Sequence, residues 1–323
     1  MRPLPLLSLL ALTTLAALLG ALAFGSLNID LSEVVRSLAG AGDPLTASVI
    51  HELRLPRALA AFAVGGLLAL AGVQMQVLLG NPLADPYVLG VSGGAAVGAL
   101  LAILLGLTPW LQNGAALLGA FASMVLVFGL ARGSSVWSPA RLLLTGVVLA
   151  SGWGALISFL LAVAPEAQLR GMLFWLMGDL ASADHPGLAL LVLVAALLIT
   201  LPLARSLNLL ARGELQANVL GVDVGPLRLK LFLIASLLTA TAVSVAGSVA
   251  FIGLVVPHLL RLLGARDHRL LLPAAVLCGG ALLLVADTLA RTLIAPQQLP
   301  VGVLTALLGV PLFLFLLQRS GRP

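Results

Sequence analysis

Five long stretches of this chain contain no Asp, Glu, Lys or Arg: residues 3–29, 58–84, 142–165, 185–204 and 292–318. A helix needs about 20 mostly apolar residues to cross the hydrocarbon core of a bilayer, and each stretch is long enough for one span. Charged residues make up only 9% of the 323, where a soluble domain carries about 25% to solvate its surface. Most of the surface must therefore meet lipid. A cytosolic enzyme, a disulfide-stapled secreted scaffold and a disordered chain are excluded on this ground. Cys278 is the only cysteine, so neither an internal disulfide nor a cysteine metal cluster can form. The pI near 10.9 does not point to nucleic acid. Lys230 is the only lysine, and the arginines are dispersed between apolar runs, where such residues fix membrane topology.

Residues 86–131 are also free of charge but too long for one helix. Thr108-Pro109-Trp110, followed by Gln112 and Asn113, divides them into two spans joined by an interfacial turn. Orientation follows from the arginines. The loop from Arg205 to Lys230 also holds Arg212 and Arg228, which places it in the cytoplasm. Counting back, the N-terminus and the Arg132–Arg141 loop fall on the same side. The polar segment between Asn28 and Arg57, with Asp30, Glu33, Asp43 and Glu52, falls outside. Arg261, Arg266 and Arg269 form another basic cluster, as do Arg319 and Arg322. Keeping both inside requires residues 231–260 to go out and return within roughly 45 Å of helix, too little for two full crossings. One of those passes must be short or broken, with Gly247, Gly253 and Pro257 as candidate breaks, where protein or water has to surround the backbone. The expectation is an all-α polytopic membrane protein with about ten transmembrane helices and both termini cytoplasmic. One domain spans residues 1–323. Residues 3–25 end in a signal-like Ala21-Leu22-Ala23, but the apolar run exceeds a signal core and its removal would upset the parity, so it is read as retained.

The chain lacks the Gly-x-x-x-x-Gly-Lys-Ser/Thr cradle for ATP phosphates; Lys230 is followed by Leu231. His51, His185, His258 and His268 are far apart and none has a partner four residues on, so no metal or cofactor site is expected. Gly90-Val91-Ser92-Gly93-Gly94 matches the Gly-x-Ser-x-Gly pattern of a nucleophile elbow. With His258 as base it offers an alternative reading, an intramembrane serine protease. The favoured reading is that these small residues let neighbouring membrane helices approach closely. A channel or secondary carrier would need ionisable groups within its spans, and only Asp287 approaches that.

Several segments, in order, resemble the permease subunits of ABC importers for iron complexes and vitamin B12. They are Arg54-Leu55-Pro56-Arg57; Asn81-Pro82-Leu83-Ala84-Asp85-Pro86-Tyr87-Val88-Leu89-Gly90-Val91-Ser92-Gly93-Gly94; Phe251-Ile252-Gly253-Leu254-Val255-Val256-Pro257-His258; Asp267-His268-Arg269-Leu270-Leu271-Leu272-Pro273; and Leu299-Pro300-Val301-Gly302-Val303-Leu304-Thr305. The resemblance covers nearly the whole chain and also implies ten spans. It implies a non-catalytic transport subunit of the bacterial inner membrane, paired with a second permease copy. Two ATPase subunits would bind inside and a periplasmic or lipid-anchored substrate-binding protein outside. Chelates would cross by alternating access. Ferric siderophore, haem and cobalamin all stay open as cargo.

The resemblance also assigns sites. Arg54 and Arg57, at the outer end of the second span, and Arg291, at the outer end of the ninth, would receive carboxylates of the binding protein, for which a guanidinium fork is suited. Asp287, four residues before Arg291, can hold that side chain in place. Residues 205–230 become a coupling loop. Within it Glu214, Leu215, Val219, Leu220 and Gly221 resemble the helix that seats in a groove of the ATPase. Trp137, Ser138 and Pro139 align with a cytoplasmic gate but depart from the small hydroxyl residues of the vitamin B12 type, and a plain turn is the competing reading. Asn81-Pro82 and Asp85-Pro86 are read as a structural turn, because each proline holds its predecessor extended. Met172, Phe174, Trp175 and Met177 lie on the outer segment before the sixth span, as an aromatic belt or as the mouth of a cavity. Cys278 is read as a small packing residue.

Overall fold

A computed structural model describes residues 3–131, 139–183 and 185–320. Among these residues every regular element is a helix. The order is α1 (Pro3–Ala23), α2 (Leu31–Leu38), α3 (Pro44–Ser48), α4 (Leu55–Leu78), α5 (Val91–Leu104), α6 (Pro109–Ala131), α7 (Pro139–Val163), α8 (Glu166–Met177), α9 (Gly187–Thr200), α10 (Ala204–Leu210), α11 (Glu214–Val219), α12 (Val224–Ala246), α13 (Ile252–Leu262), α14 (His268–Thr292) and α15 (Val301–Ser320). A π-helical turn, Val49–Arg54, joins α3 to α4, and a 3-10 turn, Pro86–Leu89, precedes α5.

Seven of the described helices are long and apolar enough to cross a membrane. Three more apolar helices are shorter: Val91–Leu104, Ile252–Leu262 and the described apolar part of α15, Val301–Phe315. Two of them have a local explanation. The 3-10 turn takes up the approach to α5, and Gly90 at φ +69° then starts α5 in a new direction. Residues 231–260 divide unequally, as their length demands. α12 runs intact to Ala246, the chain leaves the helix at Gly247 (φ +65°), and α13 spans only 11 residues. Of the three candidate breaks, Gly247 is the one used. Gly253 and Pro257 both lie inside α13.

The core is built around α4. From Ala60 to Leu78 every residue except Phe62 is buried, with α9, α12, α13 and α14 packed about it. Such a helix must be apolar on all sides, and its neighbours can close on it only where side chains are small. Gly65 meets Gly279 of α14 backbone to backbone, and a Cβ on either would run into the other's carbonyl. The hairpin α5–α6 uses the same device, with Gly94 against Gly119 and Gly98 against Ala115. By contrast α1, α6, α7 and α9 keep large apolar side chains at the surface, among them Leu12, Leu118, Val148 and Leu191.

Candidate functional site

Two separate places gather the residues singled out by the sequence. The first is a rim where the start of α4, the end of α14 and the C-terminus of α1 meet. Arg54 and Arg57 stand one helical turn apart, Arg54 closing the π-helical turn and Arg57 opening α4. Arg54 is 6% exposed. Its guanidinium donates from Nη1 to the carbonyls of Leu22 (2.6 Å) and Ala23 (3.0 Å), and from Nη2 to Leu27 O. Those carbonyls lie at and just past the end of α1, where they lack intrahelical donors and carry the negative end of the helix dipole. Arg57 donates from Nε to both carboxylate oxygens of Asp287 (3.0 and 3.1 Å), from Nη2 to Asp287 Oδ1 (2.8 Å) and from Nη1 to Gln298 Oε1 (2.8 Å). Asp179 Oδ1 lies 4.0 Å from its Nη2. Arg291 presents Nε to Asp287 Oδ2 at 3.1 Å, as an ion pair outside hydrogen-bonding geometry, and donates from Nη2 to Ala21 O at 3.1 Å.

Asp287 is thus a buried carboxylate bridging two guanidinium groups. It holds Arg291 as its spacing suggests, and Arg57 as well. All three arginines line one cavity of about 390 Å³, together with Gly25, Leu53, Ala181 and Gln298. The structure adds Asp179 and Gln298 to the three arginines named from the sequence. Both come from loops far away in the chain, and no local pattern marks them.

The second place is the α10–α11 segment. The loop drawn over 205–230 resolves into α10, α11 and the first turns of α12. Gly213 (φ +122°) opens α11 and Gly221 (φ +81°) follows it. Ala217 is buried and anchors the helix, while Leu215, Val219 and Leu220 are 79%, 78% and 59% exposed. Leu215 and Val219, four apart, share a face. Glu214 pairs with Arg228 of α12 at 2.9 Å. Behind α11, Asn208 of α10 donates to Asp267 Oδ1 (2.8 Å), and its Oδ1 accepts from the His268 backbone N–H (3.0 Å). Donation by Asn208, followed by that of Arg269 N–H, holds the Asp267 carboxyl below the usual carboxylate range.

Elsewhere the expectations divide. Trp137 and Ser138 lie outside the described residues; Pro139 opens α7. The turn after α4 is an Asx structure: Asn81 Oδ1 accepts from Leu83 N–H and Asp85 Oδ1 from Tyr87 N–H. Burial pushes the Asp85 carboxyl up to about 6, against that donation. The Tyr87 hydroxyl donates to Val249 O (3.0 Å) and accepts from Val249 N–H (3.1 Å), so this turn is tied to the α12–α13 break. Phe174 and Trp175 line a cavity of about 260 Å³ with Gln112, Asn113 and Asp179. Met172 is fully buried instead, and Met177 sits 36% exposed outside that lining. Cys278 is a partly buried free thiol packed against the core.

The protease alternative has no support. No hydrogen bond among the described residues joins Ser92 to His258, and His258 Nε2 is buried without a partner while its ring meets Phe313 edge-on. The glycines do structural work. Gly90 O accepts from Ser123 Oγ (2.8 Å), Ser123 Oγ accepts from Trp153 Nε1 (2.9 Å), and Gly94 packs on Gly119. Among the described residues no group of His, Cys, Asp or Glu is placed to hold a metal ion.

Comparison with known proteins agrees with this architecture. The hemin transport system permease protein of Yersinia pestis is 44% identical over 281 residues, covering 83% of this chain and 84% of that one. A vitamin B12 import system permease protein of Escherichia coli is 40% identical over 277 residues, 84% of each chain. A solved chain, described as an inward-facing conformation of a transporter assigned to the metal-chelate ABC type, superposes with a TM-score of 0.87 at 34% identity. It covers 97% of this chain and 98% of that one. The model of the FecCD transport family matches residues 12–319, and with its span helices, glycine crossings and paired motif arginines this chain belongs to that family.

Proposed function

We propose that this chain is the permease subunit of a binding-protein-dependent ABC importer carrying a metal chelate across a bacterial inner membrane. The observation that carries the reading is the division of labour between its two ends: three arginines converge on one cavity at one end of α4 and α14, and an exposed apolar helix stands in the α10–α12 loop. Arg54, Arg57 and Arg291 are the docking cations for carboxylates of the substrate-binding protein. Glu214, Leu215, Val219, Leu220 and Gly221 are the contact for an ATPase. Trp137, Ser138 and Pro139 form the inner gate. In this reading the seven long and three shorter apolar helices make ten passes with both termini cytoplasmic. α13 preceded by an extended segment serves as the short pass. Two copies pair around the pathway, two ATPase subunits bind beneath, and the chain itself catalyses no reaction.

Uptake into proteoliposomes tests this. The vesicles hold the chain with its cognate ATPase and binding protein, and are offered labelled haem, cobalamin and a ferric siderophore. Accumulation of one compound, dependent on both ATP and the binding protein, is expected. No accumulation, with ATPase activity indifferent to the binding protein, would overturn the reading.

A further inference from the structure

One side chain fastens the α10–α11 segment to α14. Asn208 Nδ2 donates to Asp267 Oδ1, and its Oδ1 faces both the backbone N–H and Nδ1 (2.7 Å) of His268. The chemistry of the partners fixes the amide: a carboxylate only accepts, so the nitrogen must face Asp267, and a backbone N–H only donates, so the oxygen must face His268. The neutral imidazole then carries its proton on Nδ1. Its bare Nε2 is the atom that lies buried without a partner. Asp267 also caps α14 by accepting from Arg269 N–H at 2.9 Å. Among the described residues these are the side-chain hydrogen bonds that join residues 204–222 to α14 and its cap.

Beside this clamp lies a cavity of about 430 Å³ lined by Asn208, Ala211, Arg212, Arg266, Asp267 and His268. α10 buries Leu207 and Leu210 in the core that also holds Leu271 of α14, and at the open edge of that packing the three hydrogen bonds fix how α10 sits against the start of α14. From the clamp, α14 climbs about 28 Å at helical rise to Asp287 and about 34 Å to Arg291 at the charged rim. One helix therefore connects the segment bearing α11 to the cluster that holds Arg57.

We propose that Asn208 is a positioning residue for energy coupling. It fixes the α10–α11 segment to the N-terminus of α14, so that a displacement of α11 is delivered along α14 to the rim. The proposal rests on α11 being the ATPase contact. Asn208→Asp tests it, because the carboxylate keeps the acceptor for His268 but sets two like charges face to face across the Asp267 contact. The exchanged pair, Asn208→Asp with Asp267→Asn, restores one amide facing one carboxylate, and asparagine is as good a cap for α14.

In proteoliposomes of the whole importer, the single variant is expected to lose about tenfold in binding-protein-stimulated ATPase activity and in chelate moved per ATP hydrolysed, the effect of one charge-assisted hydrogen bond. Unstimulated ATPase activity, subunit assembly and binding-protein affinity should stay at wild-type values, and the exchanged pair should recover most of the loss. A single variant with wild-type stimulation and stoichiometry overturns the proposal. So does an exchanged pair no better than the single change, or a loss that tracks failed assembly. Failure of the underlying reading looks different: the wild-type importer itself would show no stimulation by the binding protein.

Discussion

The charged rim and the α11 face use opposite strategies. At the rim the proposed docking side chains are polar, nearly buried and already partnered within the chain: Arg54 by the end of α1, Arg57 by Asp287 and Gln298, and Arg291 by an ion pair with Asp287 and a hydrogen bond to Ala21 O. At α11 Leu215, Val219 and Leu220 are apolar and exposed, and Glu214 beside them is paired with Arg228. A rim built this way is preorganised, since its guanidinium groups lose little freedom when a carboxylate arrives. An exposed apolar patch of two side chains on a six-residue helix and a third on its C-cap has the reverse character. It contributes nothing to the isolated chain and gains its free energy only when a groove covers it. Change at the rim should therefore register first as stability, and change at α11 as coupling alone.

The largest effect expected is from Asp287→Asn. It leaves two nearly buried guanidinium groups facing each other without their common carboxylate, and breaking a buried pair in this way costs about 3–5 kcal/mol. The thermal unfolding midpoint of the detergent-solubilised chain should fall by many degrees. Glu214→Gln, which breaks the half-exposed pair with Arg228, should move it by no more than about 1 kcal/mol. Equal effects would erase the distinction between the two ends. Next comes Leu215→Asp with Leu220→Asp. Both positions are largely exposed, so the unfolding midpoint should hold, while transport driven by ATP falls about a hundredfold through loss of two apolar anchors. Unchanged transport would remove α11 from the coupling role. A smaller effect is expected from Arg57→Lys, which keeps the charge at Asp287 but gives up the fork that also reaches Gln298. Affinity for the binding protein, measured by surface plasmon resonance on the reconstituted importer, should fall about tenfold.

Much of this contrast was legible in the sequence, for identifiable reasons. Long uncharged runs mark spans because lipid penalises every charge, and the shortage of length over residues 231–260 demands a short or broken helix there, as the 11-residue α13 is. It did not foretell where: Gly247 and Gly253 look alike in sequence and both are closely packed in the fold, and only the positive φ of Gly247 marks it as the point where the helix ends. In the proposed topology Arg54, Arg57 and Arg291 stand out because they run against the inward bias of positive charge. The i,i+4 spacing of Asp287 and Arg291 is local and readable, whereas the Arg57–Asp287 contact joins residues 230 apart. Asn208, Asp179 and Gln298 escaped for the same reason. Each is an unremarkable polar residue until the tertiary fold gives it a partner.

The smallest prediction sets one carboxylate against another. Asp287 is buried with two cations. Asp85, in the turn beyond the opposite end of α4, accepts among the described residues from the Tyr87 N–H alone, and burial dominates by raising its carboxyl to about 6. An acid whose folded pKa exceeds its unfolded value near 3.8 favours the folded chain most when protonated. As pH rises from about 4 to about 6 the unfolded chain releases this proton first, so stability declines across that window and stays reduced above it. Removing the charge should therefore have opposite signs at the two sites. Asp287→Asn destabilises, whereas Asp85→Asn, whose amide oxygen can still accept from Tyr87 N–H, should raise the unfolding midpoint by a few degrees at pH 7. That gain should shrink through pH 6 and vanish near pH 4, where the wild-type carboxyl is neutral as well. A midpoint that falls at pH 7, or a gain that persists unchanged at pH 4, would mean that the Asp85 carboxylate has a favourable partner in the folded chain and that the two acids are not opposites.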